Sequence, residues 1–90
     1  MNQNKQTARK IYLSCRDDRQ MAYRKAVMRR FAVTAFVDAV VDAELFLCVV
    51  EQDGIERRQS EELKIAINHG IEHEMVDSRE LLRQIRTEKL

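Results

Sequence analysis

The sequence has no proline, no tryptophan, only two glycines and only two cysteines among its 90 residues. Each scarcity excludes something. Without proline and with isolated glycines, a many-turned β-sandwich is disfavoured, and regular elements with short connections are expected. Two cysteines are too few for a disulfide framework. Cys15 and Cys48 both lie in apolar runs, which predicts buried thiols in a reducing, cytoplasmic compartment. No run approaches the roughly 20 apolar residues that a membrane span needs, and no apolar signal region opens the chain, so no membrane partner is expected. Nor is there a G-x-G-x-x-G, a phosphate-binding P-loop or a G-x-S-x-G elbow.

Charge of one sign is also lacking overall: the formal net charge is +1. A dedicated nucleic-acid binder normally carries a strongly basic face, so nucleic acid is not the expected partner. The distribution is uneven, however. Cations such as Arg24, Lys25, Arg29 and Arg30 crowd the first third, and acids gather from Asp38 onward. A chain of this length forms one domain and buries little more than about 60% of its unfolded surface, so its core is thin. Self-association into a homodimer is therefore an expected way to bury more.

What the sequence does have is one well-patterned stretch from Glu44 to Val76. Leu45 to Val50 is an unbroken apolar run of strand length, suited to a strand covered on both faces. Asp53-Gly54 signals a turn. From Ser60 to His69 the period changes to helical, with Leu63, Ala66 and Ile67 on one stripe, and Gly70 stands where a helix stops. Glu61 and Glu62 fall in the expected first turn, where acids suit the helix dipole. Glu72 to Val76 follows as a half-polar edge strand. This is a β–loop–α–β unit.

The rest of the chain extends the alternation. Residues 1–9 are read as a flexible tail and 10–90 as a single α/β domain. Lys10 to Cys15 is a strand, and Asp17 or Asp18 offers a cap for a following helix. From Gln20 to about Asp42 the pattern reads as helical, with Tyr23, Val27 and Phe31 at four-residue spacing and a joint at Val33-Thr34. Asp77-Ser-Arg-Glu80 has the spacing of a capping box. It opens a last helix with Leu81, Leu82 and Ile85 on one side and Arg83, Arg86 and Lys89 outward. The order predicts an α/β fold with helices on the faces of a short parallel sheet of about three strands. Ligands in such sheets bind beyond the carboxyl ends of the strands, which directs attention to Glu51 through Glu62.

His69-Gly-Ile-Glu-His73 fits the H-x-x-E-H metal pattern in spacing only. Gly70 interrupts the helix that would align the two imidazoles, so no metal is expected. The richest cluster is Asp53, Gly54, Arg57, Arg58, Ser60 and Glu62. A helix N-terminus with nearby arginines suits an anion, whereas a carboxylate in such a cleft suits nucleophilic or base chemistry.

Three segments together, Lys10-Ile-Tyr-Leu-Ser14, Val41-Asp-Ala-Glu-Leu-Phe-Leu-Cys-Val-Val50 and Ser60-Glu-Glu-Leu-Lys-Ile-Ala-Ile-Asn-His-Gly70, resemble the nucleoside 2-deoxyribosyltransferase-like superfamily. The resemblance implies a small three-layer, flavodoxin-like fold, a nucleoside or nucleotide ligand and chemistry at an N-glycosidic bond, without a cofactor. It implies Glu62 as the nucleophile and Ser14, Arg16, Asp53, Gly54 and Ser60 as ligand contacts. The family loop runs Asp-Gly, a second Asp, then Gly-Thr; here Arg57, Arg58 and Gln59 stand in that region. The family strand between the first helix and the Asp-Ala segment is replaced, on this reading, by helix around Val33 to Val41. The rival reading is a non-catalytic, homodimeric interaction or regulatory protein on the same fold.

Overall fold

The computed structural model describes residues 8–89, with side chains described through residue 83. The tail expected over residues 1–9 lies outside this range except for Ala8 and Arg9. Arg9 is the first residue of a strand. The side chains of Ile85, Arg86 and Lys89 likewise lie outside the described residues.

The fold is three-layered α/β. Four parallel strands, β1 (Arg9–Ser14), β2 (Val33–Phe36), β3 (Leu45–Val50) and β4 (Glu72–Asp77), form one sheet in the order β2-β1-β3-β4. The helices are α1 (Gln20–Arg30), α2 (Arg57–Asn68) and α3 (Ser78–Lys89). The sheet has one strand more than the sequence pattern indicates. None of the helices among the described residues is long and apolar enough to cross a membrane.

Period-two alternation in β1 and β3 divides the core. Ile11, Leu13 and Cys15 face one side with Leu45, Leu47 and Val49, under Tyr23, Ala26 and Val27 of α1 and Leu81 of α3. Tyr12, Phe46 and Cys48 face the other side, under Leu63 and Ala66 of α2 and beside Val40. Leu45 to Val49 are all at most 1% exposed, because the sheet is covered on both faces at β3. Among the described residues, β4 buries only Val76 and forms one edge.

Two expectations for the first half need correction. The helix does not run on to Asp42. It ends at Arg30, Phe31 turns extended, and Val33–Phe36 pairs in parallel with β1. Val33 and Thr34 are β-branched, and branching at Cβ suits a pleated strand better than a helix. The free edge of β1 supplied the hydrogen-bonding partner that a local pattern does not show. Phe31 keeps its four-residue spacing from Val27 and packs on the same core, but as extended chain just past the helix. Asp17 and Asp18 do not cap α1 either. They form a short 3-10 turn, Asp17–Arg19, and α1 begins after Arg19 without a side-chain cap bond.

The expected stop after α2 is present. Gly70 adopts φ of 68° and Ile71 N–H donates back to Ala66 O at 2.9 Å. A left-handed residue here favours glycine, which has no Cβ to clash. Asp77 opens α3, its Oδ1 accepting from the backbone N–H of Arg79 at 2.8 Å and of Glu80 at 3.2 Å.

Candidate functional site at the carboxyl edge of β1 and β3

The chain runs from β1 through α1 to β2 on one side of the sheet, then crosses to β3 on the other side of β1. The order therefore reverses between β1 and β3, and such switch points leave a crevice at the strands' carboxyl ends. Ser14 ends β1, and Glu51 follows β3 directly.

The α2 side of this edge is organised around Glu62, whose side chain is 14% exposed. Its Oε2 accepts from Tyr12 Oη at 2.6 Å and its Oε1 from Ser14 Oγ at 2.7 Å. Tyr12 and Ser14 are two apart on β1, so the pleat places both on the α2 face. The Tyr12 ring is stacked on Phe46, with centroids 5.6 Å apart and planes 3° from parallel. Arg58, one helical turn before Glu62, reaches both carboxylate oxygens from Nη1 at 3.1 and 3.2 Å. Its Nη2 donates to Cys15 O at 2.6 Å and lies 3.2 Å from Glu56 and 3.7 Å from Asp17.

The first turn of α2 also differs from expectation. The helix starts at Arg57, three residues before Ser60, so Glu61 and Glu62 are not in its first turn. Glu56 and Gln59 form a reciprocal capping box, and Gln59 is wholly buried. Ser60 N–H is already bonded to Glu56 O at 3.0 Å. The amides an anion would need are thus partly consumed by the chain itself.

Asp53 and Gly54 sit in the turn after β3, where Glu51 and Gly54 exchange backbone hydrogen bonds at 2.9 and 3.2 Å. Gly54 adopts φ of 102°, a conformation open to glycine and strained for other residues. Asp53 Oδ1 pairs with Arg16 Nη2 at 2.6 Å, and this hydrogen bond holds the Asp53 carboxyl below its ordinary range. On the opposite face, buried Tyr23 donates from Oη to Glu51 at 2.6 Å. Of the residues expected from sequence, Ser14 joins Glu62 directly, Arg16 joins Asp53, and Gly54 shapes the turn. Sequence reasoning assigned no role to Tyr12, Gln59 or Glu51 individually, and gave Arg58 no contact with Glu62. The i, i+4 spacing of Arg58 and Glu62 and the i, i+2 spacing of Tyr12 and Ser14 are the signals that could have found two of them.

His69 and His73 fall in different elements, His69 just after α2 and His73 in β4. Each ring lies against a local backbone carbonyl, Ile65 O and Ile71 O respectively. The Cys15 thiol is 2% exposed, and burial pushes its pKa up to about 11 from 9.0. It is a protonated core group, a poor nucleophile.

That burial makes stability depend on alkali. The unfolded chain loses the Cys15 proton near pH 9.0, while the folded chain holds it to about 11. Stability is therefore intact below pH 9 and declines between the two values, by roughly 1.4 kcal/mol per pH unit for one such group. Burial also raises Cys48 and Tyr12, in the same direction. Urea midpoints should fall as pH rises from 9 to 11, and Cys15→Ala should flatten that slope. An unchanged slope in the variant would remove Cys15 from this account.

Compared with protein-family models, with curated proteins and with solved structures, the chain finds no match in any of the three.

Proposed function

We propose that this chain binds a nucleoside at the carboxyl edge of β1 and β3 and acts on its N-glycosidic bond through Glu62. The observation that carries the reading is the Glu62 carboxylate itself, mostly buried at the switch point and oriented by Tyr12, Ser14 and Arg58. β2 also supplies the strand that the resembled family has between its first helix and its Asp-Ala segment.

The electrostatics favour a ligand without phosphate. Arg16 is paired with Asp53 and Arg58 with Glu62 and Glu56, while Glu51 and Asp17 add further negative charge. The capping box occupies the start of α2. A phosphate would meet committed cations and a surplus of carboxylates, whereas an uncharged sugar and base would not suffer that repulsion.

In the reaction, a Glu62 oxygen bonds to the anomeric carbon as the carbon–nitrogen bond breaks. Its electron pair leaves with the base, which takes a proton from solvent. Water then attacks the same carbon, releasing the sugar and restoring the carboxylate. Ser14 and Arg16 contact the sugar, and Asp53 orients the base.

Nucleosides at about a hundred times their dissociation constant should stabilise the fold by about 2.7 kcal/mol, a rise on the order of 10 °C in melting temperature for a domain of this size. The corresponding 5′-monophosphates should give less. Glu62→Gln should keep the shift and lose base release, measured by chromatography. No shift with any nucleoside, or base release unchanged in Glu62→Gln, would end this reading.

The second reading is a non-catalytic interaction protein that pairs with its own copy. It draws on Met21 and Met28, exposed by 76% and 59% and seven residues apart on α1. Arg24 and Lys25 lie between them, so a two-fold contact there would bring like charges together. A dimer mass in sedimentation, with no nucleoside shift, would favour this second reading.

A further inference from the structure

The sheet has two edges, β2 and β4. β2 is four residues long, and its pairing with β1 is interrupted by a register shift. Short or irregular edges resist addition of another strand. β4 has neither protection. All six of its residues pair with β3 in unbroken register, and it contains no proline or lysine. No strand pairs with its outer side among the described residues. A strand of this kind is a template for a further strand.

The register fixes what each face of β4 offers. His73, Met75 and Asp77 lie beside Phe46, Cys48 and Val50, on the α2 side of the sheet. Glu72, Glu74 and Val76 lie beside Leu45, Leu47 and Val49, on the α1 and α3 side. Met75 is 48% exposed and Ile67 of α2 is 52% exposed. Glu62 marks the flank of α2 that faces β1, and Ile67, five residues on, falls on the opposite flank, toward β4. The edge thus joins apolar surface on one face to two acids on the other. Of those acids, Glu72 is paired with Arg9 at 2.7 Å.

The charges select one way for β4 to meet a second copy of itself. With the strands antiparallel about a two-fold axis at Met75, Met75 lies on the partner's Met75, flanked by Ile67 of each chain. His73 then stands opposite the partner's Asp77, twice by symmetry, an imidazole N–H against a carboxylate. Glu74 meets the partner's Val76. Glu72 meets the partner's Ser78, the first residue of α3, where an acid suits the helix dipole. No like charges are directly opposed. An axis at Glu74 would oppose two glutamates, and one at Val76 would set Met75 against an aspartate.

We infer that two copies of this chain join through β4, antiparallel about Met75, in one continuous sheet with four strands from each. The contact is the same patch on both chains, so it closes at a dimer. It is distinct from an α1 contact through Met21 and Met28, and it leaves the Glu62 flank of α2 uncovered.

Sedimentation velocity of the intact chain at rising concentration should show monomer passing to dimer and nothing larger. Met75→Lys sets two ammonium groups face to face and removes the apolar contact, so it should weaken association about ten-fold or more. Met28→Lys, on α1, should leave association unchanged. Both side chains are exposed, and circular dichroism melts show that each variant keeps the fold. Met75→Cys provides a second reading. Its thiol would face its own counterpart across the axis, with Cβ atoms about 4.5–5.5 Å apart, within small adjustment of disulfide geometry. Under a mild oxidant this variant should give a covalent dimer. Met28→Cys and the unaltered chain, whose own cysteines are buried, should not. A monomer persisting to millimolar concentration, species larger than a dimer, association indifferent to Met75→Lys, or cross-linking through Met28→Cys alone would each overturn the β4 contact. None of these measurements involves a nucleoside, so the contact stands or falls apart from the role of Glu62.

Discussion

Gln59→Leu is expected to cost about 2–4 kcal/mol of stability, although leucine is apolar and close in volume. Gln59 is fully buried, and its amide ties three segments together. Nε2 donates to Ser14 O at 3.1 Å and to Val49 O at 3.0 Å, and Oε1 accepts from Glu56 N–H at 3.0 Å. Leucine would leave those three backbone groups without this partner. A buried donor or acceptor stripped of its partner costs about 1–3 kcal/mol, and water at the rim would recover part of that. A chain of this length has a total stability of roughly 5–13 kcal/mol, so the loss is a large fraction. Urea unfolding followed by circular dichroism measures it. A change under about 1 kcal/mol would mean that Gln59 does not join the strand ends to α2 as described. Because the same amide fixes the first turn of α2, the variant should also loosen Arg58.

Phe46→Ala is the other large change, at about 3–5 kcal/mol, the range for truncating a buried aromatic ring. Phe46 is 0% exposed and lies between α2 and the sheet, stacked on Tyr12. Removal leaves a cavity beneath that ring and takes away the surface that keeps its phenol on Glu62. Phe46→Leu refills much of the space and should cost well under half as much. Ile67→Ala, at a side chain 52% exposed, is the control and should stay within about 0.5 kcal/mol. Near-equal melting temperatures for Phe46→Ala and Ile67→Ala would contradict the core assignment.

How much of this was legible depended on whether the signal was local. β3 was readable to the residue, because a six-residue apolar run with no polar interruption has few other uses in a chain this short. The stop at Gly70 and the opening of α3 at Asp77 were readable because capping chemistry is written within four residues. β2 was not. Its four residues carry weak alternation, and the decisive factor was the open edge of β1, more than twenty residues away in sequence. The start of α2 was misplaced because Glu56 is an unusual cap residue. A search for Ser or Asp in that role settles on Ser60, one turn late. The carboxyl edge was legible as a location, since alternation of strands and helices fixes where crevices form. Its internal wiring was not, because nothing local tells which of Glu51, Glu61 and Glu62 receives a tyrosine from another element.

The two tyrosines supply a spectroscopic consequence. With no tryptophan in the chain, Tyr12 and Tyr23 dominate near-ultraviolet absorption and emission. Each phenol is bonded to a carboxylate at 2.6 Å, one on either face of the sheet, and such a bond quenches the excited ring. Emission from the folded chain should therefore be dim and brighten when either bond parts. The protein carries two native fluorophores, one reporting on Glu62 and the other on Glu51, and replacing either with phenylalanine isolates the signal of its counterpart.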